Sequence, residues 1–110
     1  DISSLQVQRA LFDRIDREWG CLDLAVANAG VIQHRPLQEL SDEELLQSIG
    51  TNVTGSFFFV REALERFEKQ RRGHLVSISS SVVTKPYPQA EVYSATKAAT
   101  YQLINSLQER

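Results

Sequence analysis

The sequence predicts an α/β fold with a parallel sheet, in the order helix, strand, helix, strand, helix. Apolar residues recur at helical spacing over 3–19, over 41–71 and from Tyr93 onward. Two apolar runs, 22–27 and 74–80, are too short for helices and are predicted to be buried strands. Strands that alternate with helices pair in parallel through right-handed crossovers. Because two strands alone do not make a stable sheet, the chain is expected to be the middle of a larger domain.

Boundary signals define the first half of the chain. Ser3 or Ser4 caps the first helix and Gly20 ends it. The apolar stripe of that helix is predicted to comprise Leu5, Ala10, Leu11, Ile15 and Trp19. The first strand stops at the Asn-Ala-Gly sequence of 28–30, and a loop follows over 31–40.

The second helical stretch has a clear start and an irregular middle. Ser41 and Glu44 have the spacing of a capping box, and Gly73 is the predicted stop. Poor helix formers interrupt the pattern at Gly50, Asn52, Thr54 and Gly55. Two interpretations fit: two helices, or one helix with a local kink. A loop with two prolines, 81–91, separates the second strand from the last helix.

Composition narrows the function classes. The 110 residues carry a net charge of −2, which does not favour nucleic acid as a partner. The single cysteine, Cys21, excludes a disulfide framework, and His34 and His74 lack metal-ligand spacing, so no metal is expected. No apolar run approaches the roughly 18 residues of a membrane span, and no signal peptide is evident. We expect a cytoplasmic protein without membrane or nucleic-acid partners.

Four short motifs occur in sequence order. They are "NAG" at 28–30, "NVTG" at 52–55, "SISS" at 77–80 and "YSATK" at 93–97. Each is weak alone, but together they resemble the classical branch of the short-chain dehydrogenase/reductase family. The resemblance runs over 1–110 and implies part of a Rossmann-like, doubly wound, NAD(P)-binding domain. The family's extended branch also uses Tyr-x-x-x-Lys, but "NAG" and "NVTG" argue against it.

The pair Tyr93 and Lys97 is suited to proton transfer. A free phenol, with a pKa of about 10, exchanges protons poorly at neutral pH. Residues four apart lie on one helix face, where an ammonium favours the phenolate. Tyr93 is therefore predicted to be the general acid/base. By resemblance, Lys97 also holds the ribose hydroxyls of NAD or NADP.

Two further residues are predicted to assist catalysis. The family's serine lies thirteen residues before the tyrosine, which favours Ser80, with Ser79 as the alternative. Ser80 and Tyr93 would bind the substrate oxygen. Asn52 is unusual inside a helix. The resemblance implies that a local distortion lets it bind water beside Lys97 and complete a proton relay.

The resemblance also implies cofactor contacts before the catalytic helix. Asn28, Ala29 and Gly30 would approach the cofactor's ribose, since small residues permit close contact. Asp1 and Ile2 match the acidic-apolar pair that contacts adenine. The family's glycine-rich turn, Thr-Gly-x-x-x-Gly-x-Gly, does not occur in the sequence. Stable cofactor binding by these 110 residues alone is therefore not expected.

The predicted function is an NAD(P)(H)-dependent alcohol dehydrogenase or carbonyl reductase acting on a small alcohol or carbonyl. The alternative is a catalytically inactive, truncated fragment with a structural or dimerisation role. Either way, the resemblance implies a homo-oligomer, dimer or tetramer, formed through the two long helices. Surplus apolar surface for it is predicted at Phe57, Phe58, Phe59, Val60 and Leu64.

Overall fold

The fold is α/β, as predicted. The computed structural model describes residues 1–109. Its helices are α1 (Leu5–Trp19), α2 (Asp42–Ile49), α3 (Ser56–Gln70) and α4 (Glu91–Gln108), and its strands are β1 (Leu24–Ala27) and β2 (His74–Ser77). Short 3-10 turns occupy Leu37–Glu39 and Ser81–Val83. None of the described helices is long and apolar enough to cross a membrane.

The two strands pair in parallel, with Ala25 opposite Leu75 and Ala27 opposite Ser77. Both strands are shorter than predicted. At the start of β1, the backbone of Leu22 does not pair with a strand. Its N–H donates to the side-chain oxygen of Gln70 (2.8 Å), and its carbonyl accepts from the Gln70 amide (2.7 Å). A side chain at the end of α3 therefore replaces the first rung of the ladder.

Only one face of β1 is buried, which corrects the prediction of a fully buried strand. Ala25 and Ala27 are buried, whereas Leu24 and Val26 are 55% and 45% exposed. The core lies against the buried face and comprises Phe12, Leu22, Ala25 and Ala63. The ring of Phe59 joins it from α3, with its centroid 5.4 Å from that of Phe12. In this chain, helices α1 and α3 thus cover one side of the sheet.

The predicted apolar stripe of α1 is wrong in part. Gln8 and Phe12 are the buried residues of this helix, while Leu11 and Trp19 are exposed. Leu11 points away because neighbouring helical residues differ by about 100° in direction, and Phe12 faces α3. The burial of a polar glutamine was not predictable from apolar spacing, because its amide nitrogen donates to the backbone carbonyls of Ile2 and Gly55, the second of them 47 residues away.

The interrupted stretch forms one continuous helix with a local distortion, which decides between the two interpretations. Gly50–Gly55 is a π-helical segment between α2 and α3, and right-handed helical backbone continues through both glycines. At the start of α2, Ser41 and Glu44 form the predicted capping box, with reciprocal hydrogen bonds of 3.1 and 3.0 Å.

The helix ends agree with the sequence at one position and differ at another. Gly20 ends α1 in the left-handed region (φ 75°), where glycine has no steric penalty. The end of α3 is Arg71 (φ 61°) rather than the predicted Gly73. Gly73 is needed for a different reason: a Cβ there would lie 2.0 Å from the ring of Phe67. The close approach of chain and ring, not helix termination, requires this glycine.

Candidate functional site

Helix α4 brings Tyr93 and Lys97 together one turn apart. The Lys97 ammonium lies 5.9 Å from the centroid of the Tyr93 ring and donates a hydrogen bond to the Ile78 carbonyl (3.1 Å). Lys97 is only 9% exposed. Since a buried ammonium requires acceptors, the carbonyl just beyond β2 holds its head group in place. The pair is thereby anchored to the end of the sheet.

A small cleft lies at the carboxyl ends of β1 and β2. Its volume is about 180 Å³, and it is lined by Asn28, Gly30, Val31, Ile32, Ile78, Ser79, Tyr93 and Lys97. In open α/β sheets, ligands bind outside the carboxyl ends of the strands. Ligand pockets usually measure about 300–1,000 Å³, so this cleft can hold only part of a large ligand.

Gly30 packs closely against the side chains of Asn52 and Lys97. A Cβ at this position would lie 3.4 Å from the Asn52 side-chain oxygen and 3.6 Å from the Lys97 nitrogen. The backbone after β1 therefore passes directly over both residues. Ala29 and Asn28 precede it and are exposed, and Asn28 and Gly30 line the cleft.

Asn52 lies in the π-helical segment, is 2% exposed, and is fully hydrogen-bonded through its side chain. Its oxygen accepts from the Val31 N–H (2.8 Å), and its amide donates to the Val31 carbonyl (2.7 Å) and to the Thr96 hydroxyl (3.0 Å). The wider π-helical turn thus presents an amide that joins the loop after β1 to α4.

The two candidate serines occupy different surroundings. Ser79 lines the cleft, whereas Ser80 is not among the lining residues. The Ser80 hydroxyl accepts a hydrogen bond from the Val82 N–H (3.4 Å) and caps the following 3-10 turn. This local bond is typical of serine at the start of a turn.

Asp1 and Ile2 form a turn that leads into α1 and do not line the cleft. The Asp1 carboxylate accepts from the Ser3 N–H (2.9 Å) and hydroxyl (2.7 Å). The Ile2 carbonyl accepts from the Gln8 amide (2.6 Å), which also donates to the Gly55 carbonyl (2.7 Å). Gln8 therefore fastens this turn to the π-helical segment, a role that no motif indicated.

A second polar cluster lies away from the cleft, between α1 and α3. Arg66 hydrogen-bonds both carboxylate oxygens of Asp16 (2.9 and 2.7 Å) and one of Glu62 (3.0 Å), and its guanidinium stacks 4.9 Å from the Phe12 ring centroid. The hydrogen bond from Arg66 lowers the pKa of Asp16, and the same bond raises the pKa of Arg66. This cluster joins two helices and contains no cleft residue.

Comparison with known proteins identifies the family of this chain. The family described as short chain dehydrogenase matches residues 1–110. The chain therefore belongs to the short-chain dehydrogenase family, as its four motifs predicted.

Individual relatives match nearly the whole chain. A sepiapterin reductase of Chlorobaculum tepidum is 30% identical over 107 residues, 97% of this chain and 44% of the reductase. An alcohol dehydrogenase of the archaeon Thermococcus sibiricus, solved with 5-hydroxy-NADP, superposes with a TM-score of 0.91 at 27% identity, over 98% of this chain and 46% of that one. An NAD+-bound xylitol dehydrogenase superposes with a TM-score of 0.87 at 25% identity, over 94% and 40%. The chain thus spans less than half the length of these proteins.

Proposed function

We propose that this chain contributes the proton-transfer part of the active site of an NAD(P)(H)-dependent oxidoreductase. One observation carries the proposal: a tyrosine and a buried lysine, one helical turn apart, face a cleft at the carboxyl ends of parallel strands. We further propose that residues 1–110 are one part of a nucleotide-binding domain, since the cleft is small and the relatives are more than twice as long.

Tyr93 is the proposed general acid/base. No hydrogen bond occupies its hydroxyl within residues 1–109, so this group is available to a substrate oxygen. In reduction, the phenol donates its proton to the carbonyl oxygen; in oxidation, the phenolate accepts the alcohol proton. The Lys97 ammonium, 5.9 Å from the ring centroid, stabilises the negative charge that the phenol develops.

Lys97 and the turn after β1 are proposed to hold the cofactor. An ammonium has three donors, and within the described residues only the Ile78 carbonyl accepts from this one. Two donors therefore remain for ribose hydroxyls beside Gly30, where the absence of a Cβ leaves room. When bound, a nicotinamide cofactor, NAD or NADP, supplies or accepts the hydride. Contacts from Asn28, Ala29, Asp1 and Ile2 are part of the same proposal.

Ser80 is proposed to hydrogen-bond the substrate oxygen, with Ser79 as the alternative because it lines the cleft. The Ser80 hydroxyl keeps its proton free for donation, since in the local bond it serves as an acceptor. For Asn52, the proposed relay requires water near Lys97. Because the side-chain amide is already occupied, such water would bind through the backbone of the π-helical segment.

The proposed substrate is a small alcohol or carbonyl compound, and the proposed setting is the cytoplasm. The relatives are named as a sepiapterin reductase, an archaeal alcohol dehydrogenase and a xylitol dehydrogenase. This range supports the shared step, alcohol–carbonyl interconversion, without selecting one substrate.

The test exchanges Tyr93 for phenylalanine in a protein that carries these residues within a complete nucleotide-binding domain, with Tyr101→Phe as the matched control. Tyr101 lies on the same helix, is 46% exposed and does not line the cleft. We expect Tyr93→Phe to lower kcat by about 10²–10⁴-fold while nucleotide binding persists, because only the proton-transfer group is removed. Reduced nucleotide absorbance reports turnover, and fluorescence titration reports binding. Turnover retained by Tyr93→Phe would refute the assignment.

A second candidate function, self-association, is favoured by an apolar groove of about 670 Å³ between α3 and α4. Its apolar lining comprises Val53, Phe57, Phe58, Val60, Leu64, Leu103 and Leu107. Phe59 is not part of it, since its ring packs on Phe12 in the core. We propose that a second copy covers this groove in a dimer or tetramer.

Sedimentation equilibrium tests self-association. Leu103→Glu should shift the protein towards monomer, because an unpaired charge would be buried in the interface. Gln102→Glu is the control, as Gln102 is exposed and outside the groove. A nucleotide titration in the same cell separates the two functions: assembly without nucleotide binding favours the purely structural alternative.

A further inference from the structure

Thr96 lies between Asn52 and the backbone of Tyr93, and its hydroxyl both accepts and donates a hydrogen bond. The hydroxyl accepts from the Asn52 amide (3.0 Å) and donates to the Tyr93 carbonyl (2.7 Å). Thr96 is 3% exposed. Together with the two Val31 bonds of Asn52, these contacts form one uninterrupted chain of hydrogen bonds from the loop after β1 to the start of α4.

We infer that Thr96 is a positioning residue, which sets the distance between Tyr93 and the turn at Gly30 and Val31 by holding the Asn52 amide. The inference rests on the proposed function, because positioning matters only if Tyr93 and this turn flank the reacting atoms. Thr96 does not line the cleft. It acts through Asn52 on one side and the Tyr93 backbone on the other.

The hydroxyl is the essential group. A hydroxyl has one donor hydrogen and lone pairs that accept. The Thr96 hydroxyl hydrogen is donated to the Tyr93 carbonyl, so only its lone pairs are available to Asn52. Because lone pairs accept hydrogen bonds, the Asn52 amide must turn its nitrogen, and not its oxygen, towards Thr96. With nitrogen on this side, the amide oxygen faces the Val31 N–H. A valine at position 96 has the same shape but no acceptor, and would leave a buried amide hydrogen unpaired.

The same helix offers a matched comparison. Thr100, one turn later, is 7% exposed, and its hydroxyl donates to the Lys97 carbonyl (3.0 Å) in the same i to i−3 pattern. Its hydroxyl has no contact with Asn52 among the described residues. Thr100→Val therefore removes the same local bond from the same helix without touching the chain to Val31.

The experiment compares Thr96→Val, Thr96→Ser and Thr100→Val in a protein that carries these residues within a complete nucleotide-binding domain. We expect Thr96→Val to lower kcat by about 10- to 100-fold with little change in KM, since it misplaces the proton-transfer group but removes no ligand contact. Thr96→Ser should restore most of kcat because it keeps the hydroxyl. Thr100→Val should leave kcat close to that of the unmodified protein. A loss that Ser does not rescue, or an equal loss in Thr100→Val, would overturn the inference.

Amide hydrogen exchange at Val31 provides a readout that does not depend on activity. The Val31 N–H donates to Asn52, so it should exchange faster in Thr96→Val and not in Thr100→Val. Unchanged exchange in Thr96→Val would overturn the inference even in an active enzyme. If turnover instead persists in Tyr93→Phe, the proposed function fails, and Val31 exchange alone decides whether Thr96 holds Asn52.

A double-mutant cycle with Asn52→Ala completes the test. If Thr96 acts through Asn52, Thr96→Val should add almost nothing to the loss of kcat in the Asn52→Ala background, and Thr100→Val should leave kcat as unchanged in that background as in the unmodified protein. Full additivity of the Thr96 and Asn52 substitutions would show that the two residues act separately and would refute the inference.

Discussion

Two polar clusters join elements of this molecule, and they use opposite chemistry. At the cleft, Asn52 links the backbone of Val31 to Thr96 with neutral groups, and Asn52 and Thr96 are at most 3% exposed. Between α1 and α3, Arg66 links Asp16 and Glu62 with charged groups, of which the Asp16 side chain is 48% exposed. Neutral donors and acceptors can be buried when each has a partner, whereas charges tolerate burial only when paired.

The difference separates a positioning role from a stabilising one. An amide and a hydroxyl bond in one orientation and keep it over the whole pH range in which proteins fold. Arg66 and its carboxylates gain their energy from charge, so their contribution titrates and weakens with salt. We therefore expect the neutral junction to control the geometry of the cleft, and the charged cluster to contribute to folding stability alone.

The largest expected effect is on the neutral junction. Asn52→Ala removes three hydrogen bonds, leaves the N–H and carbonyl of half-buried Val31 without these bonds, and leaves the buried Thr96 hydroxyl with only its bond to the Tyr93 carbonyl. The free energy of unfolding should fall by about 3 kcal/mol, measured by urea denaturation. Asn105→Ala is the control, because that half-buried asparagine makes no side-chain hydrogen bond within residues 1–109. Equal losses in both variants would contradict the importance of the junction.

Next in size is a steric effect in the same π-helical segment. A Cβ at Gly55 would lie 2.8 Å from the Ile2 carbonyl oxygen and 3.0 Å from that of Gly50. Gly55→Ala should therefore destabilise the fold by about 1–3 kcal/mol, because backbone atoms must shift. At Gly50 the nearest atom is 3.6 Å away, so Gly50→Ala should stabilise by about 0.4–1 kcal/mol. Thermal unfolding distinguishes the signs, and equal signs would refute the prediction.

Substitutions in the charged cluster should lower the free energy of unfolding by less than those in the neutral junction. Arg66→Met keeps much of the contact with Phe12 but removes the ion pairs to Asp16 and Glu62. We expect a loss of about 1–2 kcal/mol in unfolding free energy and no change in kcat. Arg14→Met removes an exposed pair with Glu18 and should cost less than about 0.5 kcal/mol. A change in kcat for Arg66→Met would contradict the expectation that the charged cluster contributes to folding stability alone.

The smallest effect is the pH dependence of stability that Asp16 adds. The hydrogen bond from Arg66 lowers its pKa below the ordinary 3.8 in the folded state. The stability that Asp16 contributes is therefore fully present at pH values above its ordinary pKa, and it is lost as the pH falls through its lower pKa in the folded state. Because Asp16 is half exposed, the loss should be less than about 1 kcal/mol. Asp16→Asn should flatten stability below pH 4 in urea titrations, and an unchanged slope would contradict this.

Much of the fold was predictable because its signals are local. The capping box at Ser41 and Glu44 and the stop at Gly20 depend on a few neighbouring residues, and both are confirmed. The predicted stripe of α1 failed because the sheet and α3 select the buried face. Strand β1 begins later than predicted because the Gln70 side chain, 48 residues away, takes the hydrogen bonds of Leu22 that a neighbouring strand would otherwise make.

For the candidate site, the sequence indicated residues but not their connections. "YSATK" placed Tyr93 and Lys97 on one helix face, because a helix repeats every 3.6 residues. Nothing in the motifs indicated that Thr96 and Gln8 would be buried, since Thr96 bonds Asn52, 44 residues away, and Gln8 bonds the carbonyl of Gly55, 47 residues away. The choice between Ser79 and Ser80 also depends on which hydroxyl faces the cleft, a matter of how the chain turns after β2.

The sequence by itself determined the α/β class, the family and the spacing of the tyrosine-lysine pair, because each can be recognised from short local patterns and their order along the chain. Only the tertiary structure decided that the Asn52 amide hydrogen-bonds Val31 and Thr96. It also decided that the backbone at Gly30 passes close to Lys97, and that Arg66 on α3 binds Asp16 on α1. Such contacts join residues far apart in the chain. They exist only after packing has brought buried donors and acceptors within bonding distance, where each must find a partner.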